Sequence, residues 1–291
     1  MKNKIIATVI FILIPFISYG QSVLRKNIED IVAGSDLKLG LAIYDFTSKQ
    51  TVRINANERF PMQSVFKFPV ALALLEQVDN GDFQLTDTIN IAKEELYTDL
   101  WSPLQKRYPN GTKLPLNEVV AAMVAQSDNS ATDLLIKKIG GANTVQQFLN
   151  HKGIHKISIK NTEREIQSDW AIQFENWTTP NEMIRLLKLF KHKQLISVKN
   201  NDYLWQVMAN TSTGSIRRLL PDDIVIVYKT GNSGAKDGIV AAQNCVGIIE
   251  LANGNHIAFA IFITASKESS ETNLDIIAQI GRAIFDYYGN L

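Results

Sequence analysis

Cysteine, histidine and surplus charge are all scarce in this sequence. Its 291 residues include one cysteine, Cys245, and four histidines. A single thiol cannot form an intramolecular disulfide, and so few thiols and imidazoles exclude a cysteine-rich zinc site and disfavour a histidine-based one. Lys and Arg together number 30 and Asp and Glu 29, so the chain lacks the strongly basic character that nucleic-acid binding requires. We therefore expect no metal site and no nucleic-acid partner.

Long hydrophobic runs are also scarce, and the most apolar one lies at the N-terminus. Two lysines precede the apolar residues 5–18, which end at the small residues Ser18 and Gly20. A basic start, an apolar stretch and a small-residue end are the parts of a secretory signal peptide, so we predict one at residues 1–20. The alternative is a membrane anchor, but the run is shorter than the ~20 residues that a membrane-spanning helix needs. We expect an exported protein, periplasmic or secreted, without stable membrane contact after cleavage.

Hydrophobic spacing predicts helices near both ends of the mature chain and strands next to them. Residues 23–32 and 273–288 have helical spacing, and strand-like runs cover residues 39–45, 51–54, 224–228, 239–251 and 256–264. Asn-Gly between the last two runs is a strong hairpin turn. Residues 60–208 are mostly helical in pattern, with turn signals between the helices.

These runs predict a mixed α/β (α+β) fold of two lobes. Hydrophobic residues make up 45% of the chain, enough for a globular protein of this length. An antiparallel five-stranded sheet flanked by helices would form an α/β lobe from residues 21–59 and 209–291. Residues 60–208 would form an all-helical lobe. Because clefts between lobes are the usual position of binding sites, we expect the functional residues there.

Ser64 and Lys67 form the first of three short patterns that can carry chemistry. They open an apolar run at residues 68–78, and a serine and a lysine three residues apart on a helix lie on one face. The lysine can then accept the serine proton and activate the hydroxyl as a nucleophile. The alternative is a helix cap followed by a solvated lysine, and this pattern alone does not exclude it.

Two further patterns follow in order along the chain. Ser-Asp-Asn at residues 127–129 stands between two helical runs, where it could also be a polar helix cap. Lys-Thr-Gly at residues 229–231 ends the strand-like run 224–228. A lysine there can bind a carboxylate, and a glycine lets a ligand approach the backbone. The alternative for this third pattern is a basic residue in a hairpin turn.

Taken together, the three patterns resemble the motif set of class A serine β-lactamases and penicillin-binding proteins. S-x-x-K begins at residue 64, S-D-N at residue 127 and K-T-G at residue 229, in that order. The resemblance to a class A serine β-lactamase covers essentially the whole mature chain. It implies the two-lobe fold of this superfamily and a serine that β-lactams acylate.

A glutamate between the second and third patterns distinguishes the β-lactamases from the penicillin-binding proteins. Glu163 lies in residues 161–180, a segment that resembles the omega loop of class A β-lactamases. The resemblance implies that Glu163 activates the water that removes the acyl group, a role suited to a carboxylate. Glu165 is the rival for this role.

The predicted omega loop also departs from the family pattern. Gln167 stands where relatives usually have Asn, and Asn161 and Asn176 stand where many have an Arg–Asp pair. Two neutral amides cannot form an ion pair, so we expect aromatic packing to hold the loop instead, with an ordinary place in the hydrophobic core as the alternative for these aromatic residues. The residues for this packing are Trp170, Phe174 and Trp177. The sequence at residues 173–178 resembles the branch that includes extended-spectrum cephalosporinases.

The same resemblance implies a set of substrate-binding residues. They are Trp101, Asn129, Gln167, Arg217, Lys229, Thr230, Gly231 and Asn232. Trp101 would form a wall of the site, and Asn129 would hydrogen-bond the side-chain amide of the substrate. The backbone N–H groups of Ser64 and Asn232 would form the oxyanion hole. Lys229 would bind the substrate carboxylate together with Arg217, or with the adjacent Arg218.

The activity that the resemblance implies is hydrolysis of penicillins and cephalosporins. Ser64 would attack the ring carbonyl, and its proton would pass to Lys67 or, through a water, to Glu163. Ser127 would protonate the leaving nitrogen, and Glu163 would then activate the hydrolytic water. No cofactor is required, and we expect a monomer. The alternatives are a DD-peptidase of the same superfamily, against which Glu163 argues, and a non-enzymatic β-lactam sensor.

Overall fold

The structure, a computed structural model, describes residues 17–289, with side chains from residue 22 onward. Most of the predicted signal peptide lies outside the described residues, and its last four residues begin the first helix, α1 (Ile17–Ile31). Cleavage after Gly20 therefore stays a prediction. Within residues 17–289, the helices are too short or too polar to span a bilayer.

The remaining elements follow in chain order. The further α-helices are α2 (Lys67–Asn80), α3 (Pro103–Arg107), α4 (Leu116–Ala125), α5 (Asn129–Lys138), α6 (Ala142–His151), α7 (Glu163–Ser168), α8 (Pro180–Lys191), α9 (Val198–Ala209) and α10 (Ser270–Gly289). The strands are β1 (Lys38–Asp45), β2 (Thr51–Ile54), β3 (Phe60–Pro61), β4 (Thr88–Ile91), β5 (Thr112–Pro115), β6 (Ile157–Ser158), β7 (Trp177–Thr178), β8 (Val225–Asn232), β9 (Ala235–Lys236), β10 (Ile239–Val240), β11 (Gln243–Glu250) and β12 (His256–Thr264).

The five long strands form one antiparallel sheet in the order β2-β1-β12-β11-β8. Strands from the start and the end of the chain alternate in it, because β12 pairs with β1 from Lys38↔Thr264 to Asp45↔Ile257. The predicted fold class, a mixed α/β (α+β) fold with an antiparallel five-stranded sheet, is confirmed. The predicted lobe boundaries stay predictions.

Helices cover both faces of this sheet. In β12, Phe262 packs in a hydrophobic cluster with residues of α2, α4, α5 and α8. Its neighbours Ile261 and Ile263 point to the other face and pack with residues of α1 and α10. Because side chains alternate between two buried faces, the strands read as continuous apolar runs rather than as alternating ones. Cys245 belongs to the second cluster and is buried, and this burial raises the pKa of its thiol.

Two strand predictions need correction. The run 239–251 is not one strand: it divides into β10 and β11, because Val240 leaves the sheet to pair with β9 and with Ser266. The Lys-Thr-Gly pattern does not follow the end of a strand: β8 continues through it to Asn232, paired with β11 throughout. The third pattern therefore lies on the edge strand of the sheet, in a rigid element.

A close contact joins β8 to the segment that precedes α2. A Cβ atom at Gly231 would lie 2.4 Å from the Met62 carbonyl oxygen and 3.1 Å from the Ser64 backbone nitrogen. Any side chain at this position would separate the two elements. The glycine of the third pattern thus brings the edge of the sheet against the serine of the first pattern.

Candidate active site

A cleft of about 420 Å³ opens beside the edge strand β8. The predicted residues that line it are Ser64, Trp101, Ser127, Asn129, Glu163, Gln167, Thr230, Gly231 and Asn232. The structure therefore brings together three patterns and a loop that are far apart in the sequence. Lys67, Lys229 and Arg217 were predicted as site residues but are not among the residues that line the cleft.

Ser64 lies in a single 3-10 turn, Gln63–Phe66, immediately before α2. The turn starts from strained backbone, because Gln63 has a φ of 44°, in the left-handed region. Its position directs the hydroxyl into the cleft, where Ser64 Oγ donates to Glu163 Oε1 at 3.1 Å. The serine thus faces a carboxylate at hydrogen-bond distance.

Lys67, on the first turn of α2, is completely buried behind the serine. Its Nζ lies 2.9 Å from Glu163 Oε1, and both side chains are at most 1% exposed. Nζ also donates to Ser127 O at 2.8 Å and to Asn129 Oδ1 at 2.6 Å. This buried ammonium therefore connects the residues of the first two patterns to the omega-loop glutamate.

Lys229 is also buried and contacts the second pattern rather than the open cleft. Its Nζ donates to Ser127 Oγ at 2.9 Å, and Lys67 Nζ lies 3.3 Å from the same oxygen. Burial, followed by repulsion from the Lys67 ammonium, lowers the pKa of Lys229 well below its usual value. Two lysines thus converge on one hydroxyl, which keeps the proton on Ser127 Oγ free to point elsewhere.

Asp128, the middle residue of the second pattern, fixes the backbone around it. Its buried carboxylate caps α5 by accepting from Ala131 N at 2.8 Å and also accepts from Leu104 N at 2.7 Å. Ser127 is held at a φ of 57° beside this cap. The helix cap that was the alternative interpretation of this pattern is therefore present in the structure.

Trp101 forms one rim of the cleft. Its backbone carbonyl accepts from Asn129 N at 3.0 Å, and its indole Nε1 donates to Gln126 O at 2.9 Å. The ring is 54% exposed, although two hydrogen bonds fix its position. It can therefore form an apolar wall for a ligand, as predicted from the sequence.

Glu163 is placed by an aspartate on α5. Asp133 accepts from Glu163 N at 2.7 Å and from Arg164 N at 2.9 Å, and Tyr97 donates to it at 2.8 Å. These bonds pair the N–H groups at the start of α7. Burial raises the pKa of Asp133, while the two amides oppose the shift. The Asp133 carboxylate on α5 thus fixes the backbone of Glu163.

Glu165 is turned away from the cleft. Its carboxylate accepts from Thr162 N at 2.8 Å, and the Thr162 side chain caps Glu165 N, which makes a capping box. The side chain is exposed to solvent. Its carboxylate is therefore committed to the start of α7.

The omega loop, residues 161–180, is closed by amide hydrogen bonds. The fully buried Asn176 accepts from Lys160 N at 2.8 Å and from Asn161 N at 3.0 Å. Its Nδ2 donates to Asn161 O at 2.8 Å. The expected aromatic packing is wrong as the main cause, because Phe174 is 43% exposed and neither Trp170 nor Trp177 is buried. An amide can use both its acceptor and its donor here, which a carboxylate could not.

Restoring the ion pair that many relatives have, by Asn161→Arg with Asn176→Asp, is expected not to raise the melting temperature. The aspartate would lose the bond to Asn161 O and place a carboxylate oxygen against that carbonyl, and a buried pair must also offset its desolvation. A thermal melt measures the effect, with Asn161→Arg alone as the control. A clear rise in the double variant with activity intact would contradict this account of the loop.

The two adjacent arginines point in different directions. Arg217, predicted to assist Lys229, donates to Ile224 O at 2.7 Å and is not among the residues that line the cleft, so its role in binding stays a prediction. Arg218 does line the cleft, but its guanidinium is held by Glu271 at 2.6 Å and Asp275 at 2.9 Å on α10. Of the pair, Arg218 is therefore the arginine that lines the cleft, and acidic partners already hold it.

Thr230 presents the polar group of the third pattern to the cleft. Its Oγ1 lies 2.6 Å from Thr213 Oγ1, on the segment before Arg217. A Cβ at Gly214 would lie 2.5 Å from Thr230 Cγ2, so this segment is packed closely against β8. One of the two hydroxyl protons lies between these oxygens, so the other is available to a carboxylate of a ligand.

Three residues around the cleft were not predicted from the sequence. Gln63 precedes the serine, and Asp133 lies four residues after Asn129 on α5. Residues four apart on a helix lie on one face, so the spacing from Asn129 could have predicted that Asp133 lies near the cleft. Gln243 lines the cleft from β11. The sequence gives one indication of it, because Gln243 is a polar residue in the mostly apolar run 239–251.

Comparison with known proteins agrees with this geometry. Residues 23–288 match the beta-lactamase enzyme family. The chain is 41% identical over 271 residues to beta-lactamase VEB-1 of Pseudomonas aeruginosa, over 92% of this chain and 91% of that protein. It superposes on the crystal structure of TLA-3 extended-spectrum beta-lactamase with a TM-score of 0.90 at 37% identity, over 92% of this chain and 99% of that one.

A second solved structure gives the class. It is described as representative of class A beta-lactamase from Bacteroides cellulosilyticus, and it matches with a TM-score of 0.89 at 30% identity, over 94% of this chain and 99% of that one. These matches cover both the sheet and the helices around the cleft. The chain therefore belongs to the beta-lactamase enzyme family and is a class A serine β-lactamase that hydrolyses β-lactams.

Proposed function

We propose that hydrolysis proceeds through an acyl-enzyme on Ser64, which a water activated by Glu163 then releases. The observation that carries this proposal is the position of Glu163 Oε1, 3.1 Å from Ser64 Oγ and 2.9 Å from Lys67 Nζ. A buried carboxylate beside the ester oxygen is suited to take a proton from an attacking water. The exposure of Glu165 and its bonds to Thr162 support this choice of glutamate.

Glu163 also suits the first proton transfer. The donors of Lys67 Nζ are directed at Ser127 O, Asn129 Oδ1 and Glu163 Oε1, whereas the Ser64 hydroxyl donates to Glu163. We therefore assign the serine proton to Glu163 in acylation. Lys67 then relays a proton from Glu163 to Ser127, which restores the carboxylate for deacylation.

Ser127 is the acid for the leaving nitrogen in this proposal. Its Oγ accepts from Lys229 at 2.9 Å, and Lys67 Nζ lies 3.3 Å from it, so its own hydrogen is available to the substrate. When Ser127 gives that proton to the ring nitrogen, Lys67 replaces it. The buried Lys229, which was expected to bind the substrate carboxylate directly, acts from behind this hydroxyl, and Thr230 makes the direct contact.

The oxyanion hole in this proposal consists of the backbone N–H groups of Ser64 and Asn232. The contact at Gly231 supports it, because it holds the end of β8 against the turn that carries the serine. Donors fixed in this way stabilise the charge of the tetrahedral intermediate, and loss of one such donor typically costs ~10²–10³ in rate.

Extended-spectrum cephalosporins are the substrates that we assign to this cleft. The solved relative TLA-3 carries that description, and it is similar to this chain over almost all of its length. Gln167 is exposed and lines the cleft together with Asn129, where the acyl side chain of such a substrate would lie. We further assign the protein to the periplasm or the exterior on the basis of its predicted signal peptide, and the monomer stays an expectation.

A chromogenic cephalosporin tests the proposed function. We expect many turnovers per protein molecule, because Glu163 is placed to release the acyl group. A single stoichiometric burst would indicate a DD-peptidase or a non-enzymatic β-lactam sensor instead. Absence of any reaction with the cephalosporin would contradict the proposed function.

A further inference from the structure

A buried amide in the cleft has an acceptor without a donor. Gln243, the first residue of β11, is 3% exposed and lines the cleft. Among the described residues, nothing donates to its buried Oε1. The next residue, Asn244, also has a buried acceptor without a donor in the described part of the chain, but it is not among the residues that line the cleft, and its Nδ2 supports the fold by donating to Pro61 O at 2.8 Å and Met62 O at 3.0 Å. An unpaired buried acceptor costs stability unless a ligand satisfies it.

The position of Gln243 defines which end of the cleft it serves. It pairs with Asn232 in the β8–β11 register. Side chains alternate along a strand, so Gln243 points to the face opposite Asn244, towards α10. Leu274 of α10 and Arg218, which α10 holds through two carboxylates, also line the cleft. The Gln243 side chain therefore belongs to the end of the cleft that faces α10.

The proposed function determines which part of a cephalosporin reaches this end, and the inference rests on it. With the ring carbonyl at Ser64 and the ring nitrogen at Ser127, the acyl side chain lies towards Asn129 and Gln167. The six-membered ring then extends past Thr230, which takes its carboxylate. The substituent on C3, next to the carboxylate-bearing carbon, is the group that enters the end lined by Gln243.

The charges at this end favour an uncharged substituent. The Arg218 guanidinium already has two carboxylate partners, Glu271 and Asp275. This cluster carries one more negative than positive charge, so it offers no attraction to a further anion. An acceptor oxygen such as Gln243 Oε1 requires an N–H or O–H donor.

We propose that Gln243 is a specificity-determining residue that binds an uncharged, hydrogen-bond-donating substituent at C3 of cephalosporins. A carbamoyloxymethyl group has this chemistry, since its terminal NH₂ can donate to Oε1. An acetoxymethyl group has the same shape, with a methyl group in place of the NH₂. These two substituents on one cephalosporin nucleus with one acyl side chain make a matched pair.

The experiment compares kcat/KM for the two cephalosporins in four proteins. For the wild type we expect a carbamoyloxymethyl preference of about three- to tenfold, the size of one hydrogen bond. Gln243→Met, of similar volume but without the acceptor, should reduce the preference to about one. Gln243→Glu keeps an acceptor oxygen in the same place and should keep the preference. Asn201→Leu removes another buried amide with unpaired atoms, on α9 and outside the cleft lining, and should leave the preference unchanged.

The outcomes separate this inference from the proposed function. A wild-type preference near one, or a preference that survives Gln243→Met, would overturn the role of Gln243 while hydrolysis itself remained. An equal loss on both substrates in Gln243→Met, with a lower melting temperature, would show a structural role and would also overturn it. Absence of turnover in the wild type would contradict the proposed function instead.

Discussion

Glu163→Gln is expected to convert the enzyme into a trap that is acylated but does not release its product. Glutamine has nearly the same shape, so the cleft should survive, but its amide cannot take a proton from water. Without the carboxylate beside it, nothing among the described residues of the cleft balances a charge on Lys67, and the neutral amine can accept the Ser64 proton, so the first step continues. Steady-state turnover should fall by more than the ~10²–10⁴ typical of a lost general base, because the neighbouring Glu165 faces Thr162.

Intact-protein mass spectrometry measures this trap. After a penicillin is added, we expect the mass of one intact substrate on the variant, persisting for minutes to hours. Glu165→Gln is the matched control two residues away, and it should turn over normally. Adduct accumulation in the control, with normal turnover in Glu163→Gln, would show that the roles of the two glutamates are reversed.

Ser64→Ala is expected to abolish both hydrolysis and covalent labelling. The hydroxyl is the group in the cleft that contacts the Glu163 carboxylate, and alanine leaves no nucleophile there. Labelling with a fluorescent penicillin, read on a denaturing gel, tests this directly. Ser168→Ala, which removes an exposed omega-loop hydroxyl, should be labelled like the wild type. Wild-type labelling of Ser64→Ala would refute the assignment of the nucleophile.

The sequence predicted the elements whose physical signal is local. Continuous apolar runs predicted the strands, and the break between β10 and β11 was missed because Ile239 and Val240 remain apolar although they pair outside the main sheet. The family resemblance that the motifs carry predicted that Ser64 and Ser127 lie at one cleft, and both residues line it. Periodicity and motifs therefore predicted the frame of the site.

Side-chain direction outside regular elements was not predictable. Arg217 and Arg218 are adjacent and chemically identical, and the irregular segment before β8 gives no period that would tell which one faces the cleft. Lys229 shows the same limit within a strand, since a motif does not reveal that its lysine is buried behind Ser127. From the sequence, Asn176 was noted only as a departure from the Arg–Asp pair of relatives. Its role in closing the loop could not be predicted, because an amide that bonds to backbone groups has no charged partner that the sequence would show.

The neutral closure of the omega loop has a consequence for its response to ionic strength. Salt screens exposed charges over a Debye length of about 8 Å at 0.15 M and about 3 Å at 1 M, but it acts little on buried bonds between uncharged groups. The exposed Arg164–Asp99 pair near the start of α7 therefore weakens as salt rises. The hydrogen bonds of the buried Asn176 join uncharged groups, so they close the omega loop equally well at high and at low ionic strength.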